Sequence, residues 1–293
     1  MNELLKEALM DGMVDLLLRT TNVASAVASS GPELPNIGEF LPPEILFQGT
    51  PFAMNRIILV RVLMAVIVMI IFGIGAARAK LVPGRFQSML EILMDFVRYN
   101  IVYEMIGEER GKRYVPMMST LFITIFFFNL CSVIPGLNMA ATATIAGPLV
   151  FALWVVCQYL IAGIREKGFV RFFREALFPA GVPWPIYFIL SPLQLIELII
   201  VRPLSLTIRL FANMIAGHLL VATCLVFTNF FVVDSSNKLL AFGGALWLLG
   251  GILFTLFEIM VAGLQAFIFT VLASVYISES YPEEEEKSAV AVA

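Results

Sequence analysis

Charge is scarce in this chain. Only 14% of its 293 residues are Asp, Glu, Lys or Arg, about half the quarter expected of a soluble domain, while 60% are hydrophobic. A formal net charge of −3 also excludes a basic nucleic-acid binder. Cysteine is nearly absent. Cys131, Cys157 and Cys224 lie in apolar segments at spacings that suit neither a zinc site nor a disulfide framework, so they read as buried small hydrophobes and no metal is expected. Phosphate-cradling loops are missing too: neither GxxxxGK[ST] nor GxGxxG occurs. The chain therefore reads as no enzyme in itself and as needing no cofactor. What remains is long apolar runs, the mark of an all-α polytopic membrane protein.

Taken in order, residues 1–20 carry Leu and Met at helical spacing interrupted by Glu7, Asp11 and Asp15. A signal peptide wants a basic start and an unbroken apolar core, so an amphipathic surface helix is the better reading. Residues 21–55, rich in Ser, Pro and Gly, read as a linker, which makes 1–55 an N-terminal segment and 56–281 the membrane domain. A first span is expected near Ile57–Ala77, with Arg61 close enough to its start to snorkel. In the loop that follows, Phe86, Met89, Leu90, Leu93 and Val97 recur at helical spacing opposite Glu91, Asp95 and Arg98, as in an interfacial helix or an ordinary docking helix. From Tyr114 to Ile164 no charged residue occurs, room for two spans joined at Pro135–Asn138. Asn129 lies inside the first arm, either bonding a neighbouring helix or lining a polar route.

The loop from Arg78 to Arg113 and that from Arg165 to Arg174 hold eleven of the nineteen Lys and Arg residues. Basic loops stay in the cytoplasm, so the N-terminus is expected outside and the acidic tail, 282–293, inside a cell membrane. The last two elements, 185–232 and 239–277, would run about 70 Å and nearly 60 Å as helices, against a hydrocarbon core about 30 Å thick. Each must be tilted, kinked at Pro192 or Pro203, or broken. About five membrane-embedded helical elements result, the last two (185–277) forming a long hairpin.

Charge inside that hairpin is costly and so informative. An arginine at bilayer depth costs roughly 3 kcal/mol or more, which makes Arg209 the first candidate for an ion pathway. Ser205 and Asn213 stand four residues either side of it, and Ala212 and Ala216 keep the stripe narrow. If the hairpin folds near residue 236, Arg209 lies 27 residues before the fold and Gln265 29 after it; His218 lies 18 before and Glu258 22 after. The members of each pair then share a depth. Nine residues turn a helix by half a revolution, so His218 faces away from Arg209. A histidine beside a carboxylate in a wet cavity can titrate in the working range and pass protons on; the bland reading is a histidine satisfied by packing alone.

The stretch PLSLTIRLFANMIAGHLL (203–220), with LQAFIF (264–269) and FNLCSVIPGLN (128–138), resembles subunit a of the F-type ATP synthases, over about Arg56–Tyr281. AATAT stands at 140–144, where the family carries a proline-threonine pair. The resemblance implies a proton-conducting stator that lies along a rotating ring of subunit c carboxylates, with peripheral-stalk subunit b and other synthase subunits as partners. It implies an outer half-channel through His218, Glu258, Asn213 and Gln265, Arg209 as the essential cation, and an inner half-channel near Ser205, Glu197 and Arg202. The inner acid is open between Glu197 and the position of Gln194, and snorkelling at the interface is the alternative reading of Arg202. A secondary transporter would use similar helices, but usually with inverted repeats, and none is evident. A stator rail of another ion-driven motor fits the AGH and LQAFIF matches poorly.

Overall fold

The computed structural model describes residues 44–46, 54–134, 142, 144–178, 184–234 and 238–281. The readings for residues 1–20, most of the linker, the turn at 135–138 and the acidic tail fall outside them. Apart from one short antiparallel pairing, β1 (Glu44–Leu46) with β2 (Met54–Asn55), these residues are helical. They fall into two compact units, one reaching up to Val221 and resuming at Ile252, the other Ala222–Gly251.

Asn55 starts the first helix by accepting the Ile58 N–H on its side chain at 3.0 Å, which satisfies one of the orphan donors of the opening turn. That helix, α1 (Arg56–Ala77), matches the expected first span. Arg61 does not simply snorkel: its guanidinium donates to Thr144 Oγ1 at 2.7 Å and lies over Gly147, where any side chain would collide with it. Helix α2 (Arg85–Val97) is the amphipathic element of the basic loop. It buries Leu90 and Val97 against protein while Phe86, Met89 and Ile92 stay outward, so it has both a docked seam and an apolar free edge.

The two arms expected within 114–164 are α3 (Val115–Leu130) and α4 (Ala146–Lys167). At 16 residues, α3 is shorter than a full crossing. One cysteine departs from expectation: Cys131 and Cys224 are buried, but Cys157 is exposed. It lies on the side of α4 that carries the exposed Val150, Leu153, Trp154 and Ile161, an apolar face that suits lipid. Gly168, at φ 79°, ends α4 in a conformation other residues rarely adopt, and the chain turns straight into α5 (Phe169–Leu177). Phe172 of α5 packs its ring onto the bare backbone of Gly163.

The next run, Trp184–Val232, is 49 residues long and carries its irregularity at Glu197–Val201, a π turn between α6 (Tyr187–Ile196) and α7 (Arg202–Asn229). The cause is local. In the wide turn the Arg202 N–H reaches back to the carbonyl of Glu197, five residues away, which strips Leu198 of its α-helical donor. Pro203 follows and has no N–H to offer in its place. The Leu198 carbonyl is instead taken by the buried Tyr159 hydroxyl of α4, at 2.6 Å. Tyr159→Phe should leave that carbonyl unsatisfied and cost about 1–3 kcal/mol, read as a lower unfolding midpoint in detergent; an unchanged midpoint would remove the tyrosine from this role.

Helix α8 (Lys238–Glu279) is continuous for 42 residues, about 63 Å. Its inward positions, Glu258, Ala262, Gln265, Ala266, Phe269, Thr270, Ala273, Ser274 and Ile277, follow a helical stripe rich in small residues, the composition that lets membrane helices approach closely. Within Ala222–Gly251 the arms of α7 and α8 meet through Phe227 stacked on Trp247, ring centroids 4.6 Å apart.

Candidate functional site

Arg209 stands on the open face of α7. Ser205, Arg209, Ala212 and Ala216 are all exposed, while Leu206, Thr207, Leu210 and Met214 of the same helix are buried. Of the stripe read from the sequence, Ser205, Arg209, Ala212 and Ala216 form a strip of small side chains flanking one cation, while Asn213 is half-buried and, with Ala216, borders a cavity.

The other side of α7 meets α8. Here a cavity of about 140 Å³ is lined by Asn129, Asn213, Glu258 and Gln265 with apolar neighbours. Glu258 is 8% exposed, and its carboxyl group rests against Gly217: a Cβ there would lie 3.4 Å from Oε1. The Ser132 hydroxyl and the His218 imidazole both act on that carboxylate. Glu258 Oε1 and Gln265 Nε2 are buried without a protein hydrogen-bond partner, and both residues line this space, one offering an acceptor and the other a donor. Among the described residues, the Asn129 side chain bonds the segment that precedes α4 and not a neighbouring helix. Its Oδ1 accepts from Thr142 at 2.9 Å, and its side chain borders the same cavity. Gln265 shares the cavity with Asn213, whereas Arg209 is not among its lining residues.

A second cavity, about 270 Å³ and more polar, is bounded by Tyr159, Gln194, Glu197, Arg202, Tyr276 and Glu279 together with Lys167 and Glu175. Arg202 is tied down rather than snorkelling. It donates to Glu279 at 2.9 Å, lies 3.8 Å from Glu197 and stacks over Tyr276 at 4.7 Å. Gln194 and Glu197, the two positions between which the sequence left the acid open, both line this space. Ser205 does not. At the rim, burial alone would raise Glu175, but bonds from Arg171 and Lys167 outweigh it and hold the carboxyl below its usual range. Sequence reasoning missed Glu279, Tyr159, Ser132 and Thr142. Arg202 and Glu279 are 77 residues apart, and no periodicity links them.

Comparison with known proteins decides the family. The ATP synthase A chain family matches residues 58–278. The chain belongs to that family. An ATP synthase subunit a from Rhodococcus erythropolis is 36% identical over 271 residues, 92% of this chain and 98% of the relative. Those of Frankia alni, at 33% over 91% of this chain and 92% of the relative, and Pseudarthrobacter chlorophenolicus, at 34% over 83% and 91%, are similar. With four helices among the described residues long and apolar enough to cross a bilayer, this member of the ATP synthase A chain family is an integral membrane protein. The family match includes Arg209, His218, Glu258 and the whole lining of the cavity at Glu258, ends just before Glu279 and Ser280 of the larger one, and leaves out the N-terminal segment 1–55 read as separate from the membrane domain.

Proposed function

We propose that this chain is the stator of a rotary proton motor, passing protons to and from the carboxylates of a ring of subunit c in an F-type ATP synthase. The observation that carries this reading is the arrangement on α7: Arg209 exposed among small and apolar side chains, and beside that strip a cavity lined by Glu258, Asn213 and Gln265, with His218 acting on the Glu258 carboxylate. The cavity at Glu258, whose carboxylate His218 acts on, is the outer half-channel, where carboxylate, imidazole and water pass a proton towards the exposed face. Asn213 and Gln265, at the same cavity, orient water near the crossing point. The cavity at Gln194, Glu197, Arg202 and Glu279 is the inner half-channel.

Between them Arg209 attracts an ionised ring carboxylate and, being an arginine, holds its own proton, so protons cannot cross directly. A carboxylate neutralised by the outer half-channel leaves the cation, faces lipid, and returns from the other side to release its proton. The basic loops at 78–113 and 165–174 set the inner side, with the N-terminus outside, the tail at 282–293 in the cytoplasm, and subunit b among the partners.

The test is contact. Ser205→Cys, one turn from Arg209 on the exposed strip, should cross-link to cysteines placed beside the ring carboxylates in the intact complex. Cross-links only to lipid-facing or stalk positions would refute the stator reading.

A further inference from the structure

A third cavity shares no residue with the two already described. It encloses about 1,300 Å³ between α5 and α6 and is lined by Val170, Arg174, Phe178, Trp184, Phe188 and Ser191 among others. That volume exceeds the roughly 300–1,000 Å³ of pockets for small molecules. Trp184 and Phe188 are 86% and 88% exposed, so the apolar walls have no cover among the described residues. Tryptophan and tyrosine beside arginine is the composition of a membrane-water interface, and Tyr187 completes it here.

The charge is specific. On α4 and α5, Lys167 and Arg171 share the carboxylate of Glu175, whereas Arg174 has no acidic partner among the described residues. Acceptors and donors are also at hand: Pro192 lies inside α6, so the Phe188 carbonyl four residues earlier has no helical donor, and Ser191 adds a hydroxyl. We propose that this groove binds an anionic phospholipid, its phosphodiester on Arg174, its headgroup hydroxyls on Ser191 and the Phe188 carbonyl, and an acyl chain along Phe178 and Phe188. A free phosphate would satisfy the arginine but leave the apolar walls uncovered, and for that reason the occupant is the lipid. The site stands apart from the proton path and does not depend on it.

The experiment uses the complex as purified from its native membrane, exposed to photoactivatable phosphatidylglycerol or phosphatidylcholine carrying the same chains, with labelled peptides mapped by mass spectrometry. Phosphatidylglycerol should label 170–192 about fivefold more than phosphatidylcholine, the preference expected of one interfacial arginine. Arg174→Gln should erase that excess, while Arg171→Gln, whose guanidinium Glu175 engages, should keep it. Equal labelling by the two lipids, an excess that survives Arg174→Gln, or displacement by inorganic phosphate would each overturn the proposal. So would the absence of label from this stretch, the result if another subunit covers it.

Discussion

Arg209→Ala is expected to abolish ATP-driven proton pumping in vesicles while the complex still assembles. Assembly should survive because the guanidinium makes no part of the packed side of α7, which rests on Leu206, Leu210 and Met214. Function should not. Unit charges 4 Å apart attract by about 4 kcal/mol at the effective dielectric of a protein surface, which corresponds to about three decades in the population of an ionised carboxylate held there. Without the cation, a ring acid passing α7 loses its reason to be charged, and the two cavities lose the barrier between them. Quenching of a pH-sensitive dye on ATP addition reads the pump, and immunoprecipitation with ring and stalk subunits reads assembly. Pumping at the wild-type rate would defeat the proposed role.

Removing either member of the outer pair should lower transport by about tenfold or more, the low end of what a positioned proton donor or acceptor supplies elsewhere. Exchanging them, as His218→Glu with Glu258→His, should restore part of that loss. The exchange is physically reasonable because the Glu258 carboxyl lies on the bare backbone of Gly217, next to His218, so either group reaches the same space. A relay needs an acid and an imidazole in contact and is indifferent to which helix supplies which. A merely structural histidine would not behave so, since swapping two packed side chains of different shape compounds the damage. Proton uptake by the double variant no better than the worse single variant would count against the relay.

Several of these features were legible in the sequence because they are written in periodicity or in cost. The stripe at 205, 209, 212 and 216 follows helix geometry, and the expense of burying charge singles out Arg209 without any partner in view. The neighbourhood of His218 and Glu258 follows from counting along two arms of nearly equal length. Other features leave no such trace. Tyr159 meets Leu198 across 39 residues and Arg202 meets Glu279 across 77, so each bond exists only once the helices have packed. The three cysteines looked alike in sequence, yet Cys157 faces outward, since an apolar residue in a bilayer has two places to be satisfied.

The wide turn at Glu197–Val201 carries a consequence for the whole rail beyond it. Every residue advances a helix by about 100°, so a turn that takes up one extra residue resets the azimuth of all that follows. Positions on either side of it cannot be compared on a single helical wheel, and distances counted back from Pro203 drift out of phase; this is why Gln194 and Glu197 could not be ranked by spacing. The compass bearing of Arg209 is therefore set by a phenol on a different helix, which keeps the expanded turn from closing up.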